Sequence, residues 1–343
     1  MQEEVFVGLD VHKSTTVATV LDRDGNRVDQ TKLSSADTAL TEYLNRFPVP
    51  KHVVLEACHV WPHVYDAAKS TGAEVTLAHP YKVRVISEAS LKSDRVDSEA
   101  LARLLLLRSV PMAFAPETPV RELRQLVRDR VFYLQKERDV KNHIYSVLLR
   151  KGLPYTDGLL GLKRKRESLR EFHLPEIDRG LDTLKDLDEG CRNLDKAVHE
   201  TFLTSREAQL LYTIPGIGAI TAVALVAELC PIERFANIER LCSYAGLVPT
   251  NHQSGDTSYQ GHLKKDSNQL VKWLLVEAAW THRRYAKKGD VAAMAKRVTR
   301  RRGKQKGNIA AAHKLLKIVY AVLKRGTPYT PNRPSPGNYS AKS

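Results

Sequence analysis

Apolar and polar positions divide this chain into three stretches with different periods. Near the start, short apolar runs end abruptly on a charge. Val5-Phe6-Val7-Gly8-Leu9 stops at Asp10, and Val53-Val54-Leu55 stops at Glu56. Runs of this length bounded by polar residues predict buried strands. Strands are expected over residues 5–10, 16–21, 27–33, 52–56 and 74–78, the third with period-two alternation. Asp22-Arg23-Asp24-Gly25-Asn26 is a hairpin turn between the second and third. Helical spacing covers 36–47, with Ser35 as the expected N-cap, 61–70, stopping at Gly72, and the strongly apolar stretch 98–108.

The pattern changes after residue 116. Leu123, Leu126, Val127, Val131, Leu134, Val140, Ile144, Val147 and Leu148 recur among many charges. That spacing predicts a long amphipathic helix or coiled-coil arm. A second helical stretch runs from about 177 to 203, and between the two lies Lys163-Arg164-Lys165-Arg166, either a solvated loop or a phosphate contact. Residues 206–326 predict a compact, mostly helical domain. Residues 327–343, rich in Pro, Ser and Asn, predict a disordered tail. The expected class is therefore α/β followed by α: a domain over 1–115, a helical spacer over 116–205 and a C-terminal domain over 206–326. Three strands in a meander, then alternating helices and strands, is the element order of the RNase H fold. In that fold the first strand carries an Asp, the fourth an acid, and a late helix supplies the rest.

Composition adds one constraint. There are 54 Lys+Arg against 39 Asp+Glu in 343 residues, a net charge of +15. Such an excess favours a polyanionic partner. No apolar run reaches the roughly 18 residues of a membrane span, and the acidic, strand-like start is not that of a signal peptide. Cys58, Cys191, Cys230 and Cys242 lack zinc-ligand spacing and are expected to be reduced thiols of a cytoplasmic protein.

Candidate chemistry follows. Asp10 and Glu56 terminate strands, and Asp94 and Asp97, three apart, share the face of a helix start. Gathered carboxylates repel unless a cation lies between them. Hard oxygen donors suit Mg²⁺, with Mn²⁺ as the alternative, and two such ions clamp a phosphodiester displacement. The other account of the Asp pair is a favourable interaction with a helix N-terminus. Ile214-Pro215-Gly216-Ile217-Gly218 before an apolar helix resembles a helix-hairpin-helix turn, whose free N–H groups hold a DNA phosphate, or is an ordinary helix–helix turn. Ser254, in a polar glycine-flanked loop, is a turn serine or a nucleophile activated by His252, Lys264 or Lys265. Cations crowd residues 264–306 with Trp273, Trp280 and Tyr285 interleaved. Because Trp273 and Trp280 are seven apart on one helix face, the aromatics are expected in the core and the cations on nucleic acid.

Gly8-Leu9-Asp10-Val11-His12-Lys13, Leu55-Glu56-Ala57-Cys58, the 92–102 segment KSDRVDSEALA, Ile214–Gly218 and the 244–255 segment running from YAGLVP to QSG resemble, in order and over essentially the whole chain, the insertion-sequence one-ten family of transposases. The resemblance implies an N-terminal domain of the Holliday-junction-resolvase type, a coiled-coil spacer and a C-terminal transposase domain. It implies a Mg²⁺ site at Asp10, Glu56, Asp94 and Asp97. It also implies a serine that becomes joined to DNA, matched best by Ser254, with Ser243 in reserve. Further implications are donor and target DNA as substrates, a structured guide RNA from the element that selects the site, a homo-oligomer (dimer or tetramer) without a membrane partner, and a nucleoid-associated place in a bacterial cytoplasm. The alternative is a Mg²⁺-dependent, junction-resolving endonuclease that uses water.

Overall fold

The computed structural model describes residues 4–86, 94–156, 158–254, 257–263, 266–286 and 289–331, and for 250–254, 257–260 and 262 the backbone alone. The chain divides into two units, Met1–Pro116 and Glu117–Ser343.

The first unit is a mixed sheet between helices. Its elements are β1 (Val5–Val11), β2 (Thr15–Leu21), β3 (Arg27–Ser34), α1 (Asp37–Leu44), β4 (Lys51–Glu56), α2 (Trp61–Ser70), β5 (Glu74–Ala78), α3 (Pro80–Ile86) and α4 (Asp94–Leu106). The strand order is β3-β2-β1-β4-β5. The β1–β2 and β2–β3 pairs are antiparallel, whereas β1–β4 and β4–β5 are parallel. Both faces of the central strands are covered, which is why they read as near-continuous apolar runs. Val5, Val7, Leu9, Val53, Leu55 and Leu77 face α1 and α2, whose Leu40, Leu44, Val64 and Ala68 complete that core. On the opposite face, Val54 and Ala78 pack with Val83 and Leu101 of α3 and α4. The Asp22 turn is held as expected, its Oδ1 accepting from the N–H groups of Asp24 and Asn26 at 2.9 and 2.8 Å.

Ser35 does not cap α1. Its buried hydroxyl donates to the carbonyl of His12 at 3.0 Å and lies 2.8 Å from Thr16 Oγ1, so it braces the β1–β2 turn and α1 begins beyond it. A sequence pattern registers a capping residue type, but a buried hydroxyl goes to whichever acceptor the sheet brings near.

The second unit opens with two long helices, α5 (Thr118–Arg150) and α7 (Pro175–Thr204), bridged by a segment containing the short α6 (Lys163–Glu167). They run antiparallel. Gly180 lies against Ile144, Gly190 against the Tyr133 ring, and Arg130 pairs with Asp195. Their far end has its own core of Ile144, Val147, Leu148, Leu160, Leu169, Ile177, Leu181 and Leu184. The Lys163–Arg166 block is helical rather than a loop. Arg166 is buried and paired with Asp188 of α7, so one of the four cations is structural.

Among the described residues six further α-helices follow: α8 (Arg206–Tyr212), α9 (Ala219–Leu229), α10 (Ile238–Tyr244), then the hairpin β6 (Pro249–Ser254) and β7 (Thr257–Leu263), then α11 (Gln269–Tyr285), α12 (Asp290–Arg302) and α13 (Lys304–Arg325). Val127 of α5 and Val198 of α7 belong to the same core as Leu225, Leu275, Leu315 and Leu316, so the near ends of the long pair and the C-terminal helices form one body. Among the described residues no helix is long and apolar enough to cross a membrane. The four cysteines are free, and burial pushes the Cys230 thiol up to about 12 and that of Cys242 to about 11. Most of the expected tail, residues 332–343, lies outside the described residues.

Candidate metal centre and nucleic-acid face

The acids of the first unit are placed by the sheet. Parallel pairing aligns Leu9 with Leu55, so Asp10 and Glu56 are the next residues on neighbouring strands, at the same edge of the sheet. Two residues beyond Gly8 and Val54 respectively, both share the face covered by α4. Helix α4 lies directly on β1 because Gly8 has no side chain: a Cβ there would stand 2.0 Å from the Ser98 carbonyl oxygen and 2.5 Å from the Ala102 nitrogen. The helix start is pinned from the other side as well. Ser98 Oγ is 2.8 Å from Thr19 Oγ1, and Gln30 donates to Thr19 Oγ1 at 2.9 Å and to the Arg95 carbonyl at 3.1 Å. These contacts deliver Asp94 and Asp97, in the first turn of α4, to the sheet edge.

There Asp10, His12 and Asp94 each offer a ligand atom, all within 4.8 Å of one another. His12 Nε2 is 3.3 Å from Asp10 Oδ2 and 3.4 Å from Asp94 Oδ1. Burial raises the Asp10 carboxyl above the usual carboxylate range; the charges of Asp94 and Asp97 push the same way, and His12 opposes them. Among the described residues Glu56 and Asp97 do not belong to this tight group, although the field of Asp97 is felt at Asp10. A partly buried carboxylate whose negative neighbours raise its pKa is a site that gains from a cation. Two carboxylates, an imidazole and two further acids close by form a donor set that fits a small divalent ion. The histidine was not singled out in the sequence. Its signal was the i, i+2 spacing from Asp10, which keeps both side chains on one side of an extended chain.

Ser254 belongs to the second unit. It is the last residue of β6, paired in register with Thr257, so it stands in a strand end rather than a loop. Its side chain, and residues Gly255, Asp256, Lys264 and Lys265, lie outside the described set. Ser243, the reserve, is half-buried in α10. The hairpin is anchored at its base: the Asn268 N–H donates to the Tyr244 carbonyl at 2.8 Å. Beneath that closure sits fully buried Glu228, at the end of α9. Arg128 reaches it at 2.9 Å and Arg124 at 3.8 Å, and Asn268 Nδ2 donates to it at 2.8 Å. This network ties α5, α9, α10 and the start of α11 together around the hairpin. A buried acid in an apolar helix such as α9 gives no hint in sequence of the partners that neutralise it.

The 214–218 turn does connect two helices. Gly216 has φ +90°, and a Cβ there would lie 2.4 Å from the His282 nitrogen, so its first duty is close packing on α11. His282 Nδ1 meets the Pro215 carbonyl at 2.6 Å, and burial holds its pKa below the ordinary value. Gly218 remains exposed at the start of α9.

The aromatics of α11 are not in the core. Trp273 is 41% exposed, Trp280 48% and Tyr285 77%. The opposite face of α11, with Val271, Leu274, Leu275, Ala278, Ala279 and His282, takes the core side instead. The i, i+7 spacing identified a shared face correctly, but did not say which face was wet. Exposed Lys296, Arg297, Arg300, Arg301, Arg302, Lys304 and Lys306 crowd the end of α12 and the start of α13. Lys287 and Lys288 lie outside the described residues.

Residues 7–151 match the DEDD-type IS110 family described as transposase, and residues 208–293 match the family described as transposase IS116/IS110/IS902. The transposase for insertion sequence element IS1111A of Coxiella burnetii is 26% identical over 290 residues, spanning 81% of this chain and 79% of its own length. The transposase for IS1328 of Yersinia enterocolitica is 24% identical over 337 residues, spanning 96% of this chain and 100% of its own length. A pilin gene-inverting protein of Moraxella bovis is 27% identical over 289 residues, spanning 81% of each chain.

Proposed function

As this chain belongs to the IS116/IS110/IS902 transposases, we propose that it excises and inserts its own mobile element by metal-assisted serine attack on DNA phosphodiesters. The observation that carries this is the convergence of Asp10 and Asp94, with Glu56 and Asp97 beside them, at one edge of a β3-β2-β1-β4-β5 sheet. That strand order, meander first and parallel crossovers after, suits an RNase-H-like domain of the resolvase type. The four acids fall inside the first matched stretch, and Ser254 and Ser243 inside the second.

Asp10, Glu56, Asp94 and Asp97 would hold the cation, Mg²⁺ or Mn²⁺. When bound there it supplies Lewis-acid stabilisation of the charge that develops on the phosphate. Ser254 Oγ attacks phosphorus. An Oγ–P bond forms, the bond from phosphorus to one deoxyribose oxygen breaks, the serine proton is lost and the leaving oxygen gains one. The ester keeps the energy of the broken bond, so attack by a second strand end reseals the backbone without ATP. A structured RNA from the element selects donor and target by base pairing, which leaves the protein to grip backbone and shape. The exposed cations and aromatics of α11–α13 suit that task. The family resemblance, rather than the geometry, suggests a homo-oligomer in which the acids of one subunit serve the serine of another.

Metal removal tests the reading. With DNA carrying the element's ends and the element's RNA, strand cleavage is expected to stop on chelation and return with Mg²⁺ or Mn²⁺. Cleavage that persists in excess chelator overturns it.

A further inference from the structure

We propose that His12 is itself a ligand of the cation, through Nε2, and that this nitrogen tilts the site toward Mn²⁺ over Mg²⁺; the inference rests on the metal-site reading above. Two ligand atoms bound at right angles about 2.1 Å from one ion are roughly 3 Å apart. His12 Nε2 is 3.3 Å from an Asp10 oxygen and 3.4 Å from an Asp94 oxygen, close to the spacing of adjacent ligands on one ion. Among the described residues these three atoms form the one close group that could hold a metal, so the histidine stands at least as near the ion's place as Glu56 and Asp97.

The imidazole is carried on a fixed piece of backbone. The His12 N–H donates to the Thr15 carbonyl at 2.9 Å, and the His12 carbonyl accepts from Ser35 Oγ at 3.0 Å. Ser35 is 5% exposed and bonded to buried Thr16. A hydroxyl taken from a helix cap to brace this turn fixes the ring's origin while leaving the ring half exposed, free to meet a ligand from the solvent side.

The chemistry of the donor then sets the metal. Mg²⁺ is a hard ion that retains oxygen ligands and waters. Nitrogen donors favour the first-row divalent metals, of which Mn²⁺ is the nearest to Mg²⁺ in its demands. An all-carboxylate site lacks that bias.

Pulsed electron paramagnetic resonance on Mn²⁺ bound to the full chain reads the bond directly. The wild type is expected to show the coupling of a directly bound imidazole nitrogen, changing on ¹⁵N labelling. His12→Gln is expected to lose that coupling and about tenfold in Mn²⁺ affinity, with Mg²⁺ affinity changed less than about threefold. Bound Mn²⁺ without nitrogen coupling in the wild type, or coupling that survives in His12→Gln, overturns the inference, and the wild-type spectrum decides even if the variant folds poorly. Asp10→Asn separates the two levels. If it leaves Mn²⁺ binding untouched, the metal-site reading itself is wrong. If it removes binding while the wild-type spectrum is free of nitrogen, only the His12 ligand is wrong.

Discussion

Asp10→Asn is expected to abolish strand cleavage, by roughly 10³-fold or more, about 4 kcal/mol of transition-state stabilisation, while nucleic-acid binding stays nearly intact. Asn keeps the size of Asp and takes away the anion at a half-buried position, where burial and two neighbouring acids already press on the carboxyl. On the proposed reading the variant removes a negative charge from a site that meets a polyanion, so electrostatics alone predicts equal or slightly tighter binding. On the proposed reading the grip is assigned to the exposed cations of α12 and α13, which belong to the other unit. Its affinity is expected to fall steeply with salt, with a log–log slope of about −0.9 per phosphate contacted, unchanged by the variant. Single-turnover cleavage measured beside a salt titration of binding checks both halves. A variant that loses binding in step with cleavage contradicts the assignment of Asp10 to the metal.

Gly8→Ala has the next largest expected effect, although residue 8 touches no substrate. The added Cβ would lie 2.0 Å from one backbone atom of α4 and 2.5 Å from another. Backbone atoms cannot change rotamer to make room, so the helix must move by more than an ångström, carrying Asp94 and Asp97 away from Asp10. Overpacking of this kind costs about 1–3 kcal/mol, and a shift of about 1 Å in a positioned group costs on the order of 10²-fold in rate. The expected result is a cleavage defect near that size, with lowered hydrogen-exchange protection over residues 94–106 and the second unit unaltered. Wild-type cleavage with unchanged protection would mean that α4 does not set the acid geometry.

The sequence shows strands where a buried run meets a charge. β5 and α2 begin and end where their patterns do, and the terminal acids fall at one sheet edge because parallel pairing puts equivalent positions side by side. What it hides depends on partners distant in the chain. Ser35 has the type of a cap, but Thr16 and His12 claim its hydroxyl once the meander closes. Arg166 sits in a run of four cations, and only α7 distinguishes the one that Asp188 buries. Trp273 and Trp280 mark a face of α11 without saying that the other face holds the core. Glu228 is an acid among apolar residues until Arg124, Arg128 and Asn268 arrive from far along the chain. The spacer and the C-terminal helices were expected as separate domains; among the described residues Val127 and Val198, from the near ends of α5 and α7, pack into the core of the C-terminal helices. The candidate site was partly legible: Asp10 could be read from a strand end and Asp94 from a helix start, whereas the i, i+2 spacing of His12 from Asp10 gave no hint that its ring also reaches Asp94.

The central claim, serine attack assisted by the acidic centre, is tested most directly by trapping. The protein would be incubated with the element's RNA, Mg²⁺ and a nicked donor DNA, denatured, and examined for a protein–DNA adduct beside Ser254→Ala and Ser243→Ala. The account predicts an adduct in the wild type that Ser254→Ala alone eliminates. Cleavage without any adduct would contradict it, and would leave the acids working on water as the whole active site.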